Sequence, residues 1–263
     1  MKVLIKIGGT LLDEPDSRQR IASEIVEVAR EYETVVVHGG GKQLTRFLES
    51  QGVKSDFING LRVSDAAVID GVTKVIAGTV NKQMVAALVA AGEAAVGISG
   101  IDGHLTQAVQ LSPEMQLVGK PVKSDGRLLD LLVNAGYLPV VACLAADNHG
   151  NIYNVNADQM AVSCAVGWRA DKLIFLTDVP GVKDNSGEVL RFLNRTSVHA
   201  LISSGVAVAG MQAKLEAAIG GLTSGIEEVS IAPGSEQRVC RRILAGEPIG
   251  TRVRLEAEAV QTK

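Results

Sequence analysis

The chain has 263 residues, of which 46% are hydrophobic, so it can bury one large core or two closely joined lobes. Its formal net charge is −3, with acidic and basic residues mixed along the sequence, which gives no overall electrostatic basis for binding nucleic acid or a membrane surface. No apolar run approaches the ~20 residues of a membrane span, and the opening segment MKVLIKIGG is too short for a secretory signal. We therefore expect a soluble, cytoplasmic protein.

The three cysteines, Cys143, Cys164 and Cys240, are odd in number and unclustered. Each lies in an apolar stretch, which predicts core packing rather than a disulfide framework or a metal site. Aromatic residues make up 3% of the chain, so a platform for stacking nucleic-acid bases is not expected.

Short runs rich in β-branched residues alternate with helical patterns along the chain. The runs that predict buried strands are residues 3–7, 34–38, 95–98, 138–142, 172–177 and 229–232. Apolar stripes at helical spacing predict amphipathic helices over residues 17–32, 128–135 and 211–222. This alternation predicts an α/β protein with a mainly parallel sheet covered by helices, and it places ligands at the carboxyl ends of the strands.

Two further features concern the organisation of the chain. Residues 107–124, punctuated by Pro113, Gly119 and Pro121, predict a hairpin or flap rather than a core strand. We expect a boundary near residues 166–171 that divides the chain into two lobes of one sheet.

Two glycine-rich turns follow the first two predicted strands. Lys6 and Ile7 precede Gly8 and Gly9, and His38 precedes a run of three glycines that ends at Gly41. Glycine lets the backbone approach a ligand closely, and the first amides of a following helix offer free donors to an anion. The spacings of a dinucleotide fingerprint or a Walker loop occur at neither turn. We expect His38 to be a packed, hydrogen-bonded strand-end residue rather than a base.

Arg62 follows an irregular segment and comes just before Ser64 and Asp65, either of which is suited to cap the next helix. A planar guanidinium binds a carboxylate through two parallel hydrogen bonds. A surface arginine in a salt bridge would leave the same pattern, so both readings remain open on these residues alone.

A second polar group lies ahead of an apolar helix. Asp158 is placed to cap this helix, while alternation in an extended segment would aim Asn154 and Asn156 to one side. Asp178 ends a strand and enters a turn, where it is either a turn former or a ligand contact. Lys214 falls in the first turn predicted for its helix, where a cation is unfavourable, and this indicates a nearby anion.

Nine segments in the same order along nearly the whole chain resemble the amino acid kinase family: KIGGTLLD, VVVHGGGK, NGLRVSD, AGTVNK, AVGISGIDG, NAGYLPVVA, YNVNADQMA, LTDVPGV and GMQAK. The resemblance is strongest to the members that phosphorylate N-acetyl-L-glutamate in arginine biosynthesis. It implies a three-layer αβα sandwich with an open, mainly parallel sheet. One domain would span residues 1–263, with residues 1–170 binding the acceptor and residues 171–263 binding ATP, usually in a homodimer.

The resemblance also implies roles for individual residues. Lys6 and Lys214 would stabilise the transferring phosphoryl group, and Asp158 would hold both lysines in place. The implied acceptor-binding residues are Gly40, Gly41, Arg62 and Asn154. The implied nucleotide-binding residues are Gly8, Gly9, Asp178, Val179, Pro180, Gly181, Val182, Val206, Ala207 and Val208. Mg²⁺ would be carried by the phosphates and water, without a set of protein ligands.

The implied reaction transfers the γ-phosphoryl group of ATP to the γ-carboxylate of N-acetyl-L-glutamate, giving N-acetyl-L-glutamyl 5-phosphate and ADP. Because charge builds on the equatorial oxygens in a loose transition state, positive side chains and backbone amides suffice for catalysis. The acceptor carboxyl titrates near ~4.3 and is ionised at neutral pH, so no general base is needed.

Alternatives and departures accompany this reading. A related kinase could act on a carrier-linked or N-acyl aminoadipate in lysine biosynthesis, and a non-catalytic amino-acid or nucleotide sensor could retain the fold. Arg62 with Asn154 favours an N-acylated α-amino acid, while the presence of all three residues of the lysine–aspartate set argues against a sensor. Ala209 stands where the family usually has Asp or Gly. Arginine-inhibited hexameric members carry a further helix before the first strand, so we expect a dimer that is insensitive to arginine.

Overall fold

The structure, a computed structural model, describes residues 1–255 of the chain. Its strands are β1 Lys2–Ile7, β2 Glu33–His38, β3 Phe57–Ile58, β4 Leu61–Arg62, β5 Ala95–Ser99, β6 Thr106–Gln110, β7 Val118–Ser124, β8 Leu138–Ala142, β9 Leu144–Ala146, β10 Ile152–Val155, β11 Lys172–Thr177, β12 Phe192–Leu193, β13 Glu228–Pro233 and β14 Thr251–Val253. Its α-helices are α1 Pro15–Ala29, α2 Gly41–Ser50, α3 Ala66–Val72, α4 Asn81–Ala90, α5 Arg127–Asn134, α6 Ala157–Trp168, α7 Arg195–Ser203, α8 Ala209–Thr223 and α9 Val239–Leu244. A π-helical segment, Thr73–Val80, joins α3 to α4.

The main sheet has eight strands in the order β12-β14-β13-β11-β1-β2-β8-β5. Neighbouring strands are parallel except β13 and β14, which are antiparallel. Helix α1 packs with α4 and α9 to form one layer, and α6 packs with α5 and α8 to form the other. The predicted α/β class, with an open, mainly parallel sheet between two helical layers, is confirmed.

All six predicted strands are present in this sheet, with bounds that differ by at most one residue at either end. These strands were predicted to be buried, and residues 3–5 of β1 have no exposed surface. The sheet runs without interruption across the predicted lobe boundary, because β11 pairs directly with β1. The three cysteines are free and buried, as expected.

A second, smaller sheet lies outside the main one. The predicted hairpin is confirmed as the antiparallel pair β6 and β7, which closes with β9 and β10 into a four-stranded barrel. Strands β3 and β4 form a separate short hairpin that the sequence pattern did not reveal. Within residues 1–255, no helix combines the length and apolar character needed to cross a membrane.

Candidate active site

The two glycine-rich turns meet at the carboxyl ends of β1 and β2. The Gly8 amide donates to the Leu176 carbonyl of β11 at 2.9 Å, which ties the first turn to the neighbouring strand. A Cβ on Gly9 would lie 2.8 Å from the amide nitrogen of Gly40, so only glycine permits this approach of the two turns. Gly41 opens α2 and has open space on its Cβ side. The first amides of α2 therefore offer unpaired donors at the same edge of the sheet.

An open cleft of about 400 Å³ lies over these turns. Its lining residues are Lys6, Gly8, Gly9, Thr10, Gly41, Lys42, Thr45, Phe57, Arg62, Thr177, Asp178 and Lys214. Residues from both halves of the chain thus share one cavity, with the predicted acceptor arginine and both predicted lysines among them.

Lys6, Asp158 and Lys214 form a buried ionic group at the base of this cleft. The Nζ of Lys6 lies 2.7 Å from Oδ1 of Asp158, and the Nζ of Lys214 lies 2.6 Å from Oδ2. The three side chains are only 9%, 11% and 12% exposed in the order Lys6, Asp158 and Lys214, so solvent screens their interaction weakly. Burial acts to raise the pKa of Asp158, but the two ammonium groups outweigh it and hold that pKa below its usual value. Asp158 therefore remains a carboxylate.

The same group sets the protonation of Lys214. Burial and then the charge of Lys6 lower the pKa of the Lys214 ammonium, and the Asp158 carboxylate opposes both effects. The Lys214 ammonium also lies 5.3 Å from the ring centroid of Phe175, within the range of a cation–π contact.

Two local predictions about this group were wrong. Asn156, not Asp158, caps α6, since its Oδ1 accepts from the amides of Asp158 at 2.9 Å and Gln159 at 3.2 Å. Asp158 is thereby left free to bind the lysines. The side-chain amides of Asn154 and Asn156 have different hydrogen-bond partners. Helix α8 begins at Ala209, so Lys214 lies in its second turn, and the anion that faces it is Asp158.

Arg62 is held from three sides. Its Nη2 donates to Oγ1 of Thr45 at 2.6 Å, its Nη1 donates to Oγ of Ser55, and its Cζ lies 4.5 Å from the ring centroid of Phe57. The residue is 9% exposed and forms no salt bridge with any residue in the described part of the chain. Burial lowers the pKa of its guanidinium, with the charge of Glu49 acting in the opposite direction. A buried arginine without an acidic partner excludes the surface salt-bridge reading and favours an anionic ligand.

Asn154 lies behind Arg62 rather than among the cleft-lining residues. Its Nδ2 donates to Oγ of Ser64 at 3.0 Å, and the fully buried Ser64 donates in turn to the Arg62 carbonyl at 3.0 Å. The amide of Asn154 is thus connected to the backbone that carries the guanidinium. The cap of the following helix is Asp65, whose Oδ1 accepts from the Val68 amide at 2.8 Å.

His38 has the structural role expected of it. Its Nδ1 lies 2.8 Å from the Gly39 carbonyl and its Nε2 lies 3.1 Å from Nδ2 of Asn81. Complete burial lowers the pKa of the imidazole to about 4, so the ring is neutral. The neutral ring donates from Nδ1 and accepts at Nε2, which braces the second glycine turn.

The predicted nucleotide residues fall into two groups. Asp178 lines the cleft with Gly8 and Gly9, and its carboxylate accepts from the hydroxyls of Thr10 at 3.4 Å and Thr177 at 3.2 Å. The other predicted residues lie outside the cleft lining: Val179, Pro180, Gly181, Val182, Val206, Ala207 and Val208.

Gly181 and Val182 shape their own loop. The Val182 amide donates to Oγ1 of Thr251 at 2.8 Å, and a Cβ on Gly181 would lie 2.8 Å from the same oxygen. Val208 precedes α8 and is 59% exposed. Ala209 next to it has φ +45°, in the left-handed region where glycine is favoured.

Sequence reasoning missed several residues of the cleft. Lys42 follows the glycine run directly and forms no ion pair with any residue in 1–255. Thr45 lies four residues after Gly41, one helical turn away, which is a signal visible in the sequence. Thr10 and Thr177 adjoin two predicted residues, Gly9 and Asp178, whereas Phe57 carries no such signal because its approach depends on how the β3–β4 hairpin folds over the site.

The charges in this site favour a polyanionic ligand. Four cations line the cleft, Lys6, Lys42, Arg62 and Lys214, whereas Asp178 is the one carboxylate among the described lining residues. Asp178 and Asp158, which pairs with the two lysines, together offset two of these four positive charges, so two remain in excess. Residues 1–255 contain no group of three or more His, Cys, Asp or Glu side chains arranged to hold a metal ion.

Comparisons with known proteins agree with this geometry. The model of the amino acid kinase family matches residues 1–232. The chain is 52% identical over 254 residues to the acetylglutamate kinase of Solibacter usitatus, covering 96% of this chain and 99% of that protein. It is 40% identical over 242 residues to the acetylglutamate kinase of Acidobacterium capsulatum, covering 91% of this chain and 93% of that protein.

A solved structure of N-acetylglutamate synthase from Neisseria gonorrhoeae, complexed with coenzyme A and N-acetyl-glutamate, superposes with a TM-score of 0.85 at 25% identity. The match covers 97% of this chain, which spans 60% of the synthase chain. The sequence match, the sheet order and the lysine–aspartate group are consistent with one another: the chain belongs to the amino acid kinase family.

Proposed function

We propose that the protein transfers the γ-phosphoryl group of ATP to the γ-carboxylate of N-acetyl-L-glutamate, in the second step of arginine biosynthesis. The observation that carries this proposal is the pair of buried lysines on one carboxylate, opposite an arginine that has no acidic partner in the described chain. Two full-length relatives named acetylglutamate kinase support the choice of acceptor and agree with the expectation from the sequence.

Lys6 and Lys214 supply positive charge where the equatorial oxygens of the transferring phosphoryl group become more negative. Asp158 binds both ammonium groups and holds them in place, so it positions the lysines and takes no proton from the acceptor. The backbone amides of Gly40 and Gly41 donate to the phosphoryl oxygens, whereas the Gly8 amide is already bonded to the Leu176 carbonyl. Because the acceptor carboxylate is already ionised at neutral pH, no base is required.

We assign acceptor binding to Arg62, Gly40, Gly41 and Asn154. The guanidinium has five N–H groups, and the two hydroxyls that hold it use two of them, which leaves enough donors for a bidentate contact with the α-carboxylate. Asn154 supports this contact from behind through Ser64.

Kinases of this family use ATP with a divalent metal. We assign that metal as Mg²⁺, carried by the phosphates and water, because both Asp158 oxygens face lysines. Nucleotide binding would extend from Gly8, Gly9 and Asp178 to the two flanking loops, Val179 to Val182 and Val206 to Val208.

Three further proposals concern the whole molecule. Residues 1–170 form the acceptor lobe, which contains Arg62, and residues 171–263 form the nucleotide lobe, which contains Asp178. The protein is a homodimer, and β5, at one edge of the main sheet, is the strand that a second copy would extend. It works in the cytoplasm, which agrees with three unpaired, buried cysteines.

The test is acceptor-dependent ADP release, with the acyl phosphate trapped by hydroxylamine, over N-acetylglutamate, glutamate, aspartate, carbamate and an N-acyl aminoadipate. Preference for N-acetylglutamate is expected. Preference for the aminoadipate derivative would replace the acceptor but keep the chemistry, and absence of any acceptor-dependent ADP would indicate a sensor. Lys6→Ala and Lys214→Ala should each lower kcat by ~10²–10³ or more, as for the loss of a charge-stabilising group, and near-wild-type turnover of either would contradict its role.

A further inference from the structure

The Arg62 guanidinium is fixed by two side chains from segments that match no recognised motif. Thr45 lies on α2, and Ser55 lies in the loop between α2 and β3. Their hydroxyl oxygens accept from different terminal nitrogens of Arg62, with the Thr45 contact at 2.6 Å. Phe57 covers the face of the guanidinium, so it limits tilting of the plane, but a ring face cannot limit rotation within that plane.

The Thr45 hydroxyl also has its own orientation fixed. Its single proton is donated to the Gly41 carbonyl at 2.9 Å, so a lone pair of the same oxygen faces Nη2 of Arg62. One atom therefore connects the guanidinium to the glycine turn that opens α2. A valine at this position has the same shape and neither hydrogen bond.

We propose that Thr45 and Ser55 are positioning residues that set the in-plane rotation of the Arg62 guanidinium, and so determine how its free N–H groups meet the acceptor carboxylate. Each hydroxyl takes one N–H from a different terminal nitrogen. Without them the guanidinium can rotate beneath Phe57. Forming the bidentate contact then requires that rotation to be frozen when the acceptor binds, and the lost conformational entropy weakens binding. This inference rests on the proposed function, because it takes Arg62 as the acceptor-binding residue.

The effect should appear in the KM for the acceptor. Thr45→Val is expected to raise the KM for N-acetylglutamate about tenfold, since a hydrogen bond to a charged group is typically worth that factor or more. The kcat and the KM for ATP should stay within about threefold of wild type, because the contact is made equally in the ground and transition states. Thr45→Ser keeps the hydroxyl and should restore a near-wild-type KM. Ser55→Ala should act in the same direction as Thr45→Val.

Thr223→Val is the matched control. Thr223 is exposed near the end of α8, and its hydroxyl donates to the Ile219 carbonyl at 2.9 Å, the same backbone bond that Thr45 makes to Gly41. This variant makes the same chemical change on a helix without touching Arg62. It should keep the wild-type KM for both substrates.

A double variant separates positioning from direct contact. In an Arg62→Lys background, Thr45→Val should raise the acceptor KM little further, because the group on which it acts is gone. A full additional increase would show that Thr45 touches the acceptor itself and would overturn the inference. Unchanged KM in Thr45→Val, or a fall in kcat with unchanged KM, would also overturn it.

Folding and function are checked separately. Thermal unfolding shows whether Thr45→Val folds. If it does not, Thr45→Ser and Ser55→Ala are compared with wild type instead. Equal acceptor KM values for Ser55→Ala and wild type would then refute the proposal. If the wild-type protein shows no ADP release with N-acetylglutamate, the proposed function fails. If wild type is active and the hydroxyl variants match it, only this inference fails.

Discussion

Replacing Asp158 by asparagine tests the ionic group at the base of the cleft most directly. At the observed separations of 2.7 and 2.6 Å, each pair attracts by about 6 kcal/mol at an effective dielectric constant near 20. Burial of three charges and repulsion between the lysines offset much of this. Since breaking a buried pair by removing one partner typically costs about 3–5 kcal/mol, we expect Asp158→Asn to lower the free energy of unfolding by that amount.

The activity of this variant should change with pH in a definite direction. Burial and Lys6 already lower the pKa of Lys214, and Asp158 is the main group that opposes them, with a smaller contribution from Asp178. In Asp158→Asn the pKa of Lys214 therefore falls further, and the ammonium loses its proton as pH rises through the new value. We expect kcat to fall by ~10²–10³ near neutral pH, with the residual activity declining further towards basic pH.

The loss of stability has the opposite dependence on pH. The pKa of Asp158 is depressed in the folded protein, so its contribution is present above the unfolded pKa of ~3.9 and is lost as pH falls through the folded value. The difference between wild type and Asp158→Asn should therefore shrink in strongly acidic solution. Urea unfolding at several pH values measures it.

Asp70→Asn is the matched control for this experiment. Asp70 pairs with Lys74 at 2.5 Å, but the two side chains are 58% and 61% exposed. An exposed pair contributes at most about 1 kcal/mol, so this variant should keep its activity and nearly all of its stability. Wild-type kcat and an unchanged pH profile in Asp158→Asn, or equal losses of stability in the two variants, would refute the reasoning.

Three more predictions follow from single residues. Arg62→Lys should chiefly raise the KM for the amino-acid substrate, because an ammonium cannot replace a bidentate fork; steady-state kinetics with an unchanged KM would remove Arg62 from the acceptor site. The pKa of His38 is about 4 in the folded protein, against 6.5 in the unfolded chain, so the buried ring is neutral at pH 7. As pH falls from 6.5 to 4 the unfolded chain takes up a proton that the folded protein does not, and the free energy of unfolding drops by up to roughly 3 kcal/mol. His38→Gln should lack this slope in urea unfolding, whereas the exposed His199→Gln should retain it, and parallel curves for His38→Gln and wild type would contradict the prediction. Ala209→Gly should stabilise the protein by about 1 kcal/mol because φ is +45° there. Ala217→Gly inside α8 should destabilise it by a similar amount, and thermal unfolding that shows the same sign for both alanines would count against the backbone explanation.

Much of the fold was accessible from sequence because the relevant forces are local. Continuous runs rich in β-branched residues predicted the six long strands of the main sheet to within a residue. A strand buried on both faces must be apolar at successive positions, so such a run is visible in the sequence. The short strands β3, β9, β12 and β14 were not predicted, because two or three residues carry no usable periodicity. The order of strands was likewise beyond local patterns.

The site divides in a similar way. The glycine turns were visible because close backbone approach requires glycine, and the structure brings Gly9 against Gly40. The cap of α6 was misassigned because Asn156 and Asp158 are both suited to capping, and only the position of the lysines shows that the Asp158 carboxylate is needed elsewhere.

The sequence by itself determined the fold class, the edge of the sheet where ligands bind and, through a family resemblance, the lysines that serve it. Tertiary structure decided which side chains hold those residues. Asp158 meets Lys214 across 56 positions of sequence, and the hydroxyls of Thr45 and Ser55 meet Arg62 across 17 and 7. The physical reason is that strand and helix patterns arise from interactions between near neighbours, whereas such contacts exist only after the loops between the strands have folded over the same cleft.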